Sequence, residues 1–412
     1  MIHIYLLCTQ SIGAAYGVGT YIQELKEILL NKKEIFLNII ILRSDEPEFI
    51  IKEAEGCRTF YLPEVPLVDD SSTIAKYNKN SWFLLQPHIN ASPSDKILFH
   101  LNFYGESNFI SYIKKNYPNC IVIFTIHYQN WCLLINGNTS YFRKLLHKAK
   151  NELSDIEKTI IQSYETEKEI LHSVDKIICL SKFTKHILIK DYNITSDKIE
   201  LIYNGIKDEG ITLTKEQKEK ERIDLSFKDN ELIILFVGRL TQIKGVNILI
   251  QAFKILLKDY PQAHLVIVGD GNYNSHLEEC EGLWKKITFT GRLSKDHLYQ
   301  FYQIADVGVI PSFHEQCSYV AIEMMMFGIP LVISTSTGLS EMIDNEFNPI
   351  KTEVLENGRD ATISPEKLAS KIINAINYKG YGNSLRTNYL NKFTRTNMGH
   401  KYLNMINELK EE

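Results

Sequence analysis

Two glutamates interrupt an otherwise apolar stretch, PSFHEQCSYVAIEMMMFGIP at 311–330: Glu315 and Glu323, with seven residues between them. Carboxylates in such surroundings are costly unless something satisfies them. They either reach water or hold a polar ligand. VGVIPS reads as a strand running into a loop, and YVAIEMMMFG as a helix ended by Gly328 and Pro330, with Ser318 as its N-cap. Glu315 then lies on the loop and Glu323 about one and a half turns into the helix, ~7 Å along it. Unpaired N–H groups of the first helical turn fall between the two acids. A molecule carrying both hydroxyls and phosphate would suit all three, the hydroxyls on the carboxylates and the phosphate at the positive helix end. The run Met324–Met326 is core filler in this reading.

Four other loops carry candidate chemistry. In LFVGRLTQIKGVNILIQAF (235–253), Arg239 and Lys244 stand in a glycine-punctuated loop before a helix. A planar guanidinium and a mobile ammonium suit a diphosphate; a solvated surface pair is the plain alternative. In TIHYQNW (125–131), His127 ends an apolar run, either as a satisfied structural histidine or as a polar group. In the second role it could donate to a sugar hydroxyl or stabilise positive charge developing nearby. GAAYGVGTY (13–21) sets Gly13, Gly17 and Gly19 before a helix, where backbone approaches a ligand closely and anions are favoured. Gly17 to Ile22 imitates a dinucleotide fingerprint without the final Gly or Ala, and Asp45 could serve as a ribose acid. VGDGN (268–272) reads as a glycine turn first and a backbone contact to a ligand second.

Positioning these loops requires strands. Apolar runs at 2–8, 36–42, 96–102, 120–126, 176–180, 232–238, 264–269, 287–291, 307–311 and 330–334 alternate with helical stretches. Such runs fit parallel strands buried on both faces, hence α/β architecture with crossover helices. The polar stretch between about 207 and 230 separates two strand sets, so the reading is two Rossmann-like domains facing a central cleft. Boundaries are expected at 1–208, a linker at 209–229, a second domain at 230–385, and C-terminal helices at 386–412 that pack on the body. Ligands of open parallel sheets sit beyond the carboxyl ends of the strands, where these loops lie.

Composition bounds the partners. The chain has 412 residues and a formal net charge of -4, which argues against a dedicated nucleic-acid binder. Seven cysteines without a CxxC pair suggest reduced thiols and a cytoplasmic protein. No run is long enough to cross a bilayer. YFRKLLHKAK (141–150) is basic and aromatic; a solvated helix face is the favoured reading, and peripheral contact at the inner membrane face the alternative.

Taken together and in order, VGRLTQIKG, VGDG, FTGRLS, ADVGVIPSFHEQCSYVAIEMMMFGIPLV and GLSE resemble the retaining GT-B glycosyltransferases of family 4, and SVDKIICLSKFTK and IYNGI resemble that family's segments before the linker. The likeness is strong over about 173–342 and fainter before. It implies that Arg239 and Lys244 bind the donor diphosphate, that Glu315 holds the hydroxyls of the transferred sugar, and that Glu323 binds the nucleotide ribose. Arg292 and Leu293 would line the base, His127 would stand beside the donor sugar, and Gly17 and Gly19 near the diphosphate. Gly238 and the run Gln316, Cys317, Ser318, Tyr319 and Val320 would complete the donor site, and the C-terminal helix would cross back onto the first domain.

Three departures mark this chain. Gln316, Cys317 and Ser318 replace a Gly-Phe-Gly run, so side chains there are expected to narrow donor choice. A second glycine is missing before Leu339, and Lys207 replaces an Asp. The expected activity is transfer of a sugar from a nucleotide sugar, a UDP-sugar before GDP-mannose, to an acceptor hydroxyl with retention. No cofactor is expected, and no metal, since Asp-x-Asp and HExxH are absent. A nucleotide-sugar epimerase, a dinucleotide-dependent oxidoreductase and a catalytically silent nucleotide-sugar-binding protein are the competing readings. The acceptor (glycan, lipid-linked, small-molecule or peptide) and the oligomeric state are not legible.

Overall fold

The computed structural model of the chain describes residues 1–9, 17–30, 32–54, 56–64, 71–89, 92, 94–344, 346 and 350–411. Gly13 therefore lies outside the described residues. Among the described residues the strands are β1 (Ile2–Thr9), β2 (Ile35–Ser44), β3 (Ile50–Ala54), β4 (Cys57–Pro63), β5 (Lys96–Leu101), β6 (Ile121–Ile126), β7 (Lys176–Cys179), β8 (Ile199–Leu201), β9 (Leu232–Val237), β10 (Ala263–Val268), β11 (Ile287–Gly291), β12 (Val307–Ile310), β13 (Leu331–Ser334), β14 (Lys351–Thr352), β15 (Leu355–Asn357) and β16 (Asp360–Thr362). The helices are α1 (Gly17–Leu29), α2 (Ser71–Leu85), α3 (Asn108–Asn116), α4 (Asn130–Leu134), α5 (Thr139–Leu146), α6 (Asp155–Ser173), α7 (Lys182–Lys190), α8 (Lys215–Asp224), α9 (Val246–Leu256), α10 (Asn274–Glu279), α11 (Lys295–Ile304), α12 (Tyr319–Met326), α13 (Pro365–Asn377), α14 (Tyr381–Lys392) and α15 (Arg395–Glu411).

Two units emerge. Unit 1 comprises residues 1–129, 158–205 and 395–412; unit 2 comprises 130–157 and 206–394. The sheet of unit 1 runs β3-β4-β2-β1-β5-β6-β7-β8, parallel except where β3 meets β4. The sheet of unit 2 runs β11-β10-β9-β12-β13-β14, parallel throughout. All ten apolar runs are strands of these sheets, and the fold is α/β as expected. Continuous apolarity marks the central strands because both faces are covered: Ile4 to Leu7, Ile233 to Leu235 and Leu331 to Val332 are buried on every residue.

The sequence reading omits the β3–β4 hairpin. Its edge strand, IIKEA, leaves Lys52, Glu53 and Ala54 exposed, so it carries no buried-strand signal; charge on an edge strand discourages pairing with other chains. The polar stretch 209–229 carries α8 and lies in unit 2. Thr214 caps α8 in a capping box with Gln217, and Arg222 docks the helix by a bidentate contact to Asp306 at 2.7 and 2.6 Å. The C-terminal residues divide, α14 with unit 2 and α15 with unit 1. Tyr389, Phe393, Tyr402, Met405 and Leu409 are buried, as their helical spacing predicts. In unit 1, α15 lies close on α1: Arg395 bonds Glu24, and a Cβ on Gly399 would meet Ile28 at 3.2 Å.

Candidate functional site

In unit 2 the loops after β9 and β12 meet. The two strands are parallel neighbours, so both loops leave the same sheet edge. After β9 the chain makes a short helical turn ending at Gly245, whose φ of +70° and contact with the Pro311 carbonyl leave no room for a side chain. That approach presses Lys244 against the second loop, and the amide of Phe313 donates to the Ile243 carbonyl at 2.8 Å. Lys244 Nζ donates to Glu315 Oε1 at 2.5 Å, with the two side chains 20% and 14% exposed. The cation and the acid, 71 residues apart in sequence, thus form one ion pair.

The helix begins where the sequence places it. Ser318 is the N-cap of α12, its Oγ accepting from the amide of Ala321. One expected donor is already used, because the Ser318 amide points at Met342 Sδ, 3.3 Å away. Val320's amide has no partner among the described residues. Glu323 lies in the second turn, partly exposed, and accepts from the hydroxyl of buried Tyr302 at 2.7 Å. Burial pushes its carboxyl up to about 7, against the Tyr302 hydrogen bond and the Lys295 charge, which favour ionisation. Gln316, Cys317, Ser318 and Tyr319 are buried, Leu293 and Val320 half-buried, and Arg239 and Arg292 exposed. Gly238 follows β9 directly, its amide donating to the Val268 carbonyl 2.9 Å away.

His127 stands in unit 1, one residue beyond β6. Asn102 donates through Nδ2 to the Leu7 carbonyl, so its Oδ1 faces His127 Nε2 at 3.0 Å and that nitrogen carries the proton. Burial holds the ring well below the usual histidine range, at about 3. It is neutral at physiological pH, and Nδ1 is left as an acceptor. Tyr21 of α1 packs edge-on against it, centroids 4.7 Å apart. Gly17 and Gly19 lie in the first turn of α1 rather than in a preceding loop, so the dinucleotide imitation loses the tight turn it needs. Beneath them runs a buried chain: Tyr402 of α15 to His100 Nδ1 at 2.7 Å, His100 Nε2 to Thr125 at 2.7 Å, Thr125 to Tyr21 at 3.1 Å.

These histidines set a pH limit. Burial holds His100 at about 3 and His314 at about 4, the latter with both ring nitrogens unpartnered. A neutral group with a depressed folded pKa contributes stability that is full above its unfolded value and lost as pH falls toward the folded one. Urea unfolding is therefore expected to weaken by about 1.4 kcal/mol per pH unit for each of these groups between about pH 6 and pH 4. His314→Gln should flatten that slope by one group's share; an unchanged slope contradicts the assignment.

Two family models divide the chain, Glycosyltransferase Family 4 over residues 17–209 and Glycosyl transferases group 1 over 217–388. The chain belongs to the GT-B glycosyltransferases of family 4. Among curated relatives, an uncharacterized glycosyltransferase of Methanocaldococcus jannaschii is 37% identical over 200 residues, covering 45% of this chain and 51% of that protein. A D-inositol 3-phosphate glycosyltransferase of Mycolicibacterium gilvum is 26% identical, covering 42% and 40%. The matches thus span about half the length of these relatives or less. Among solved structures, sucrose-phosphate synthase from Thermosynechococcus elongatus aligns over 100% of both chains with a TM-score of 0.75 at 20% identity. Anabaena HepE, solved with UDP and glucose, aligns over 98% of this chain and 99% of its own with a TM-score of 0.68 at 14% identity.

Sequence reasoning missed the residues that contact these side chains, Asn102 and Tyr21 around His127 and Tyr302 on Glu323, and it missed that the segment 130–157 belongs to unit 2. There the Asn138 amide bonds the carbonyls of Gly358, Arg359 and Asp360. Glu356 accepts from the amides of Thr139 and Ser140, closing the head of α5. The one available signal was INGN (135–138), a turn followed by an N-cap. Among the described residues no group of three or more His, Cys, Asp or Glu side chains is arranged for a metal ion, and no helix is long and apolar enough to cross a membrane.

Proposed function

We propose that this protein transfers a glycosyl group from a nucleotide sugar to an acceptor hydroxyl with retention of anomeric configuration. The observation that carries this reading is the Lys244–Glu315 pair at the carboxyl ends of β9 and β12, with Glu323 on the helix that follows. An ammonium has three donors, and one contact to Glu315 leaves others for a diphosphate. As the bond to the leaving nucleoside diphosphate breaks, negative charge grows on its oxygens, and Lys244 and Arg239 stabilise it without a divalent ion. Glu315 keeps its second oxygen for a sugar hydroxyl. Glu323 accepts from the ribose, and Arg292 and Leu293 border the base. A UDP-sugar is the preferred donor, a choice supported by HepE having been solved with UDP and glucose; GDP-mannose is second.

A thermal-shift screen run with and without EDTA tests the reading without an acceptor. UDP, GDP and their sugars at 1,000 times their Kd should stabilise the chain by about 4 kcal/mol, and one base should outrank the other. Nucleosides and inorganic phosphate should shift the transition far less. No shift with any nucleoside diphosphate at millimolar concentration refutes the donor site, and a shift abolished by EDTA refutes its metal independence.

A further inference from the structure

We infer that Thr337 is a positioning residue for Glu315, fixing that acid's backbone through a hydroxyl carried in a strained conformation. Thr337 follows β13, in STSTGLSE, immediately before Gly338, where the sequence lacks a second glycine. Its φ is +25°, an outlier for a β-branched residue, at a place where glycine would sit without strain. What the threonine adds is a two-way grip. Its Oγ1 accepts from the Glu315 amide at 3.0 Å and donates to the Glu315 carbonyl at 2.7 Å. A hydroxyl can do both at once. The Gly338 amide adds a second donor to the same carbonyl at 2.9 Å.

The surroundings tighten this grip. A Cβ placed on Gly137, itself at φ +70°, would meet the Phe313 carbonyl at 2.9 Å and Thr337 Cγ2 at 3.2 Å. Gly137 thus packs closely against both the loop bearing Glu315 and the Thr337 side chain that holds it. Glu315 is held at both ends, its main chain by Thr337 and its carboxylate by Lys244. Backbone strain persists where the surrounding structure over-determines it, and such places cluster at functional sites. Here the strained residue spends both hydrogen-bonding roles of its side chain on the one acid that pairs with the site's lysine.

The inference rests on the proposed role of Glu315, and the test separates the two. Thr337→Gly relieves the strain and removes both hydroxyl contacts; Thr337→Ser keeps the hydroxyl. Hydrogen exchange in peptides spanning 313–316 should quicken about tenfold or more in Thr337→Gly, the worth of one lost hydrogen bond, and stay within about twofold of wild type in Thr337→Ser. The melting temperature of Thr337→Gly should not fall, a split that a merely structural threonine would not produce. Release of UDP from UDP-glucose, or of GDP from GDP-mannose, should drop about tenfold in kcat for Thr337→Gly and return in Thr337→Ser. Unchanged exchange in Thr337→Gly overturns the inference, as does a lower melting temperature with faster exchange throughout unit 2. So does unaltered kcat where the wild type turns over. If the wild type releases nucleotide from no sugar nucleotide while the exchange result holds, the anchoring of Glu315 stands and the donor reading falls.

Discussion

Lys244→Ala is expected to lower the rate of nucleoside diphosphate release at least a hundredfold while the chain remains folded. Hydrogen bonds to charged groups are worth roughly 1.5–3 kcal/mol, and about 1.36 kcal/mol is a decade of rate. One lost contact to the leaving diphosphate therefore accounts for one to two decades. A second decade or more follows from Glu315, whose carboxylate loses its 2.5 Å partner and with it the orientation offered to the sugar. The fold should tolerate the change because both side chains keep some access to water, so the orphaned carboxylate is not fully desolvated. Lys244→Arg should recover only part of the rate, since a planar fork does not replace a compact ammonium at a contact this close. Circular dichroism and a melting curve check the fold; a nucleotide-release assay checks the rate. Turnover near wild type in Lys244→Ala sinks the assignment of roles.

Much of the scaffold behind that pair was legible because it is written locally. Continuous apolar runs identified ten strands, and Ser318 ahead of YVAIEMMM identified a cap that exists. What was illegible is what distance in sequence conceals. Nothing near Lys244 announces Glu315, 71 residues away, and nothing near Thr337 announces the grip on the same acid. The missed hairpin β3–β4 failed for a different reason, its outer strand being exposed and charged. The Gln316–Ser318 run was expected to narrow donor choice through its side chains, yet Gln316, Cys317 and Ser318 are buried. His127 shows the same limit in miniature: residue type allowed a donor or an acceptor, and only Asn102 and Leu7 decide between them.

Glu323→Gln should have opposite effects on stability and on nucleotide binding, and both should depend on pH. Burial raises the carboxyl to about 7 in the folded chain, above the ~4.3 of a free glutamate. The folded state therefore holds a proton that the unfolded state gives up between those values. Its contribution is full below the unfolded pKa and lost as pH rises through 7. Glutamine cannot ionise and is spared that loss. Between pH 5 and pH 8.5, Glu323→Gln should gain on wild type by roughly 1–3 kcal/mol, read as a melting-temperature difference that widens with pH. Binding runs the other way. An ionised carboxylate already accepting from Tyr302 at 2.7 Å is a stronger acceptor for ribose hydroxyls than a neutral acid or an amide. Wild-type affinity for the preferred nucleoside diphosphate should rise as pH climbs through 7, while the variant's stays flat. By pH 8.5 the variant should bind roughly tenfold to a hundredfold more weakly, and by pH 5.5 the two should converge. Calorimetric titration at the two pH values decides it: equal affinity at pH 8.5 removes Glu323 from the nucleotide site, whatever the melting curves show.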